Sequence, residues 1–337
     1  MWGPNINQVE VLDVDERSML YGVGYKPGPG VRILRSTADG TVAEERLAED
    51  EIYQGGFLFD GGMLYSVTSA LDEAKFEIRR RLDGQNSSST MWDAVSQGSE
   101  FSELAMVGDT LFFVRTDPGP VRCLVAVDPR VVDPVGDGYD VHCLQEGARF
   151  GWLESAGDGT LSFQTWAQGD DCATLHRLRA GESVPELVEV DGCVSRGVAS
   201  SRLAAWTEEP VPDEDGSSNW FEVDVRAQVG EEVVDLGTGI AGTATWCQGG
   251  VYWNVESTRD EPAHIRRWFP GGPIEVVRSA GREPDTGFDD ALQLSLRCYD
   301  DRVTFVEQTS AGELQQTFLT SPSFGWALPL PYDLDAE

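Results

Sequence analysis

The groups with which this chain could do chemistry are six cysteines, three histidines, 25 basic and 58 acidic side chains among 337 residues. The cysteines stand in pairs: Cys123 and Cys143 are 20 residues apart, Cys172 and Cys193 are 21 apart, and Cys247 and Cys298 are 51 apart. No Cys-x-x-Cys occurs, which argues against a zinc ribbon or a thioredoxin-type site. An even number at such separations reads as three disulfides, and so as an oxidising compartment. Six buried thiols in a cytosolic protein are the alternative.

The acidic loops are the better metal candidates. Asp213, Asp215, Ser217 and Asn219 place oxygen side chains at every second position, and calcium takes several oxygen ligands. Gly216 is misplaced for an EF-hand loop, and a solvated hairpin tip is the plainer reading. The segments 133–140 and 283–290 have the same acidic character. His142, His176 and His264 each sit in a strand-like run, on outer or third strands, and are read as strand residues. Carboxylate pairs such as Asp289-Asp290 could serve acid–base work, but adjacent acids are frequent in a chain this acidic. Asn86-Ser87-Ser88 fits the glycosylation triplet. The Gly-x-Ser-x-Gly elbow, Ser-x-x-Lys, His-Glu-x-x-His and the Walker loop are absent from the sequence, and no Gly-x-Gly-x-x-Gly stands at a strand-to-helix turn.

The charge is a further filter. The formal net charge is −33, and the only lysines are Lys26 and Lys75. Nucleic acid is excluded as a partner because its phosphates are bound by basic surface. Anionic membrane surfaces are repelled as well. The chain lacks the long apolar run that a transmembrane helix needs. With 40% hydrophobic residues and 10 tryptophans, it nevertheless has ample material for a core. The first residues, 1–5, have neither the basic start nor the apolar stretch of a signal peptide.

What must position these groups is a repeat. Strand-like runs recur at Leu20, Leu64, Leu111, Leu161, Leu203, Val251 and Val303, at spacings of 42 to 52 residues. Most follow a hairpin signal such as Asp60-Gly61-Gly62, Gly157-Asp158-Gly159 or Gln248-Gly249-Gly250. Alternating third strands follow, for example residues 76–82, 174–178 and 221–225, and several repeats add a fourth. Four short antiparallel strands every ~40–50 residues is the period of a propeller blade. The expectation is an all-β chain forming one β-propeller, most simply with seven four-stranded blades. The repeats run over about 6–51, 52–99, 100–147, 148–192, 193–239, 240–290 and 291–332. Six blades follow if the weak fourth or fifth repeat is misread, and the N-terminal segment is a candidate closing strand for the last blade. The disulfides then staple two strands of blade three, blade four to blade five, and blade six to blade seven.

The Asp-Gly-Gly-x-Leu-Tyr-x-Val form at 60–67, followed by Ile78-Arg79-Arg80-Arg81-Leu82-Asp83-Gly84, resembles the repeats of bacterial TolB-like and related extracytoplasmic propellers. The resemblance spans the chain at the level of blade rhythm. It implies the fold and a tendency to bind partners at the faces of the ring, and it transfers no catalytic residue.

Ligands favour concave places where loops converge. In a propeller that place is the channel mouth, where the innermost strands begin. The candidates there are Tyr53, Gln54, Glu103, Arg149, Phe150, Arg196, Thr243 and Gln293. Arg149 and Arg196 stand out in so acidic a chain and could hold an anionic group. The reading is a secreted, periplasmic or surface-anchored module, its leader removed. It is monomeric and binds a small molecule, glycan or protein. Two alternatives remain: a calcium-assisted lactonase or lyase on the same fold, and the sensor part of a surface lipoprotein.

Overall fold

A computed structural model describes residues 8–24, 32–39, 41–48, 51–69, 75–82, 84–95, 104–116, 121–131, 138–210, 219–258, 261–279, 292–299, 302–308 and 314–318. No helix occurs among the described residues, so none is long and apolar enough to cross a membrane.

The described strands form seven antiparallel sheets in chain order. The first holds β1 (Gln8–Val14), β2 (Ser18–Gly24), β3 (Arg32–Thr37) and β4 (Val42–Arg46). The second holds β5 (Glu51–Phe59), β6 (Gly62–Ser69), β7 (Lys75–Arg81) and β8 (Ser89–Val95). The third holds β9 (Leu104–Val107), β10 (Thr110–Thr116), β11 (Arg122–Val127) and β12 (Tyr139–Leu144). The fourth holds β13 (Arg149–Ser155), β14 (Thr160–Trp166), β15 (Thr174–Arg179) and β16 (Glu186–Val188). The fifth holds β17 (Val194–Ala199), β18 (Leu203–Glu208), β19 (Val223–Val229) and β20 (Glu232–Gly239). The sixth holds β21 (Thr245–Cys247), β22 (Gly250–Val255), β23 (His264–Trp268) and β24 (Ile274–Ser279). The last holds β25 (Leu292–Tyr299), β26 (Arg302–Gln308) and β27 (Leu314–Phe318). This is a β-propeller. The first strand pairs with β2 inside its own sheet, and residues 1–7, the rest of the N-terminal segment expected to close the last blade, lie outside the described residues. It lies beside β27 all the same, which makes the first and last sheets neighbours.

Local chemistry explains the hairpins. Asp60-Gly61 and Gln248-Gly249 have φ of 47° and 72°, and of 54° and 77°. Positive φ at both central residues is the two-residue turn that matches strand twist, and glycine supplies it without steric cost.

The core lies between the sheets and not at one centre. Leu20 and Ile33 of the first sheet meet Met63, Tyr65 and Val67 of the second. Phe59 and Leu64 meet Phe113 and Val125. Leu124 and Val141 meet Leu161 and Phe163, and the pattern continues through Trp166 with Trp206, Val225 with Trp253 and Ile265 with Phe305. Each sheet is therefore apolar on both faces along its middle strands; β14 is buried at every position. This is why the second strands read as near-continuous hydrophobic runs.

All three expected disulfides are present. Cys123–Cys143 joins directly opposed residues of β11 and β12. Cys172–Cys193 ties the end of the fourth sheet's second hairpin to the start of the fifth sheet. Cys247–Cys298 joins β21 to β25, the innermost strands of the sixth and seventh sheets. A buried ion cluster adds to the second sheet: Arg79 Nη1 donates to Glu51 at 2.9 Å, and Glu77 Oε2 accepts from its Nε at 2.9 Å.

Candidate functional site

Each sheet runs from its innermost strand outward. The hairpins joining second to third strands therefore lie at the same end as the crossings between sheets. At this end the fourth, fifth and sixth sheets gather Arg149, Trp166, Cys193, Trp220 and Gly242.

One strand there is irregular. The pairing of β13 with β14 shifts between Gly151 and Glu154, a β-bulge. Trp152 sits in the bulge with φ of 55°. The other positive-φ non-glycine residues described, Asp60 and Gln248, lie in turns. A bulky side chain held in this region costs on the order of 1–3 kcal/mol and persists only where its surroundings impose it. The result here is an indole turned toward the neighbouring sheet, with the Arg196 guanidinium carbon 4.5 Å from the ring centroid. Trp152 remains 38% exposed while Arg196 is 7% exposed.

Arg196 stitches three innermost strands. Its Nη1 donates to Gly242 O at 2.6 Å. Its Nη2 reaches Glu154 Oε2 at 3.5 Å, and Glu154 Oε1 accepts from Thr245 Oγ1 at 2.6 Å. Thr207 Oγ1 donates to Arg196 O and accepts from Gly242 N at 3.0 Å. This guanidinium is already neutralised by a carboxylate and held by a carbonyl, so its place is structural as well as electrostatic.

A second stack stands beside it. Arg149 and Trp166 are directly opposed across β13 and β14, and the Arg149 guanidinium lies 4.8 Å from the indole centroid. Gly151 permits this: a Cβ there would come within 2.8 Å of Trp166 Cζ3. Among the described residues, Arg149 makes no ion pair within 4 Å. Burial pushes the neighbouring Glu209 carboxyl up; a Ser195 hydrogen bond and Arg149 oppose that, while the charge of Asp171 adds to it. Trp220 and Phe221, 47% and 53% exposed, complete this end. Ala241 N donates to Trp220 O at 2.8 Å, which places the pair one turn from Gly242.

The other expected residues are scattered. Tyr53 is half-buried and packs against the first sheet, where Gly22 leaves room for its ring. Gln54 sits at the bulge between Tyr53 and Gly55. Gln293 pairs with Val306. The side chains of Gln54 and Gln293, and all of Glu103, lie outside the described residues. Thr243 is buried; its hydroxyl donates to Ile240 O at 2.8 Å and accepts from Asn254 N at 3.1 Å, locking a turn. Asp213 and Asp215, the calcium candidates, lie outside the described residues. Cys123, Asp140 and Cys143 bring potential ligand atoms together, but the two sulfurs are bonded to each other and Asp140 pairs with Arg115 at 3.0 Å.

Two histidines do meet, away from the centre. His142 and His176 have ring centroids 5.4 Å apart, with Phe163 stacked on His176 and Phe150 edge-on to His142. Thr165 Oγ1 lies 2.9 Å from His176 Nε2. Burial pushes His176 down to about 4, and the nearby His142 adds to that. His142 is lowered by burial too. The sequence places these residues on separate repeats, and only the packing of sheet three on sheet four shows the contact.

Sequence reasoning missed Trp152, Glu154 and Trp220. The available signal was a tryptophan next to a glycine one residue after an arginine-aromatic pair. Nothing in the alternation of the strand announces the bulge.

No family model matches the chain, and no curated protein matches it. Solved structures do. A prolyl endopeptidase is similar with a TM-score of 0.62 and 11% identity, over 94% of this chain and 47% of that one. The β-propeller domain of the Trilobed protease from Pyrococcus furiosus, described as having an open velcro topology, gives 0.58 and 12%, over 96% and 98%. An oligogalacturonate lyase in complex with manganese gives 0.52 and 12%, over 92% and 87%. This chain spans about half the length of the prolyl endopeptidase. These likenesses concern the fold.

Proposed function

We propose that this chain is an extracytoplasmic binding propeller, monomeric, which takes its ligand at the end carrying the two arginine–indole stacks. The observation that carries this is Trp152. A strained, partly exposed tryptophan held by a bulge against a buried arginine is a preorganised contact surface. Aromatic and arginine side chains supply much of the energy of recognition sites. Three disulfides support an oxidising compartment. The classes of ligand that fit are a small molecule, a glycan or a protein.

The test couples location to binding. Expression into an oxidising compartment should give protein with no titratable thiol after denaturation. Arg149→Ala should then leave the melting temperature nearly unchanged and weaken capture of any ligand found for the wild type. A ligand that binds Arg149→Ala as well as wild type argues for another surface.

One observation favours an enzyme instead: the likeness to the oligogalacturonate lyase extends over most of both chains. Release of unsaturated product from oligogalacturonate, with added manganese or calcium, would carry that reading. A metal requirement would direct attention to the acidic segment containing Asp213 and Asp215.

A further inference from the structure

We infer that the ligand taken on this face is a neutral oligosaccharide, stacked on Trp152 and Trp220 and hydrogen-bonded by Arg149. This rests on the binding reading above and names its ligand class.

Three properties of the face select the chemistry. First, its exposed apolar groups are aromatic: Trp152, Trp220 and Phe221. Of the exposed aliphatic residues, Leu187, Val233, Ile274 and Val276 lie on the outer strands β16, β20 and β24, while Ile52 and Val121 lie at the same end but on the second and third sheets, away from the fourth, fifth and sixth. A peptide anchors through aliphatic as well as aromatic contacts. A pyranose ring offers a flat C–H face, for which an indole is the matching surface, and a rim of hydroxyls. Second, the rim has both donors and acceptors to meet. Arg149 is a fork of donors resting on Trp166, and Glu209 is a partly buried carboxyl beside it. Planar forks suit paired hydroxyls as they suit carboxylates. Third, the local charge is not positive. Arg196 is matched by Glu154, Arg149 has the Glu209 carboxyl near it and Asp171 acts on that same carboxyl, and the chain carries −33. A polyanion would meet repulsion at long range and find no unmatched cluster of cations at short range.

Rigidity adds to the case. Trp152 is fixed by the bulge and by Arg196, and the turn bearing Trp220 is tied through Ala241, so little ordering entropy remains to be lost on binding.

The experiment titrates the whole protein, by calorimetry and tryptophan fluorescence, with three sets of probes. The first is neutral oligosaccharides: cello-, malto-, xylo-, manno- and chito-oligomers. The second is oligogalacturonate, and the third is acidic and aromatic peptides. The expected result is saturable binding of a neutral oligomer, weakened roughly tenfold or more by Trp152→Ala. Trp220→Ala, at an exposed turn, should weaken it likewise with an unchanged melting temperature, which separates lost contact from lost fold. Binding of only oligogalacturonate or a peptide, weakened by these variants, would overturn the neutral-oligosaccharide assignment and leave the binding face standing. No probe whose affinity either variant changes would overturn both.

Discussion

At the scale of single residues, backbone strain and the proposed binding face coincide at Trp152. Its ring is placed by the bulge and by Arg196, and beside it the absence of a side chain at Gly151 lets Trp166 lie flat against the backbone. Gly151→Ala should therefore displace Trp166, loosen the Arg149 stack and destabilise the protein by about 1–3 kcal/mol. Urea unfolding monitored by tryptophan fluorescence checks this, and an unchanged midpoint would contradict the contact. His176 gives a second prediction. Its pKa is depressed to about 4 in the folded protein from 6.5. The unfolded chain therefore binds the proton first as pH falls, so the contribution of His176 is complete above pH 6.5 and is lost progressively down to about 4. The loss amounts to about 3 kcal/mol at most. His176→Gln should flatten the stability slope between pH 7 and 5, where most carboxylates are still ionised. If the variant keeps the wild-type slope, His176 is not its source.

At the scale of elements, the sheets are held to one another by apolar wedges and by covalent staples. The Cys247–Cys298 bridge matters most for the end of the chain, because it ties innermost strands of two sheets and closes a loop of 51 residues. Replacing both cysteines by alanine should cost about 4 kcal/mol. Amide exchange should quicken most in β25 and β26, with the fourth and fifth sheets little affected. Uniform acceleration across all sheets would mean that the bridge stabilises the whole ring and not its last element. The bulges belong to this scale as well. They recur where the innermost strands β1, β5, β13, β17 and β25 pair with their second strands. Each releases one or more residues from the ladder near the crowded centre.

At the scale of the whole molecule, a charge of −33 sets the stability in water more than any single pair. The described arginines are largely engaged, as in Arg79 with Glu51 and Glu77, Arg177 with Glu186 and Arg267 with Glu275. The surplus of carboxylates repels itself and is screened by salt. Raising sodium chloride from about 10 mM to about 500 mM should raise the melting temperature by roughly 5 °C. A flat or falling response would show that the ion pairs, which salt weakens, outweigh the repulsion.

The propeller was legible in the chain because its cause is local and repeated. Hairpin turns such as Asp60-Gly61 need particular residues, and each second strand must be apolar on both faces. Both leave a pattern with a period, and the paired cysteines fall into step with it. The candidate site was legible only in part. Arg149, Phe150 and Arg196 stand where strands begin, and the two arginines are scarce cations in an acidic chain. Their partners are Trp166, Trp152, Glu154 and the carbonyl of Gly242. A bulge and the packing of one sheet on the next select these partners, and both depend on contacts between residues far apart in the chain. A one-residue irregularity has no period, so alternation cannot show it. The meeting of His142 with His176 is hidden for the same reason: it exists only once two sheets share a wedge of core.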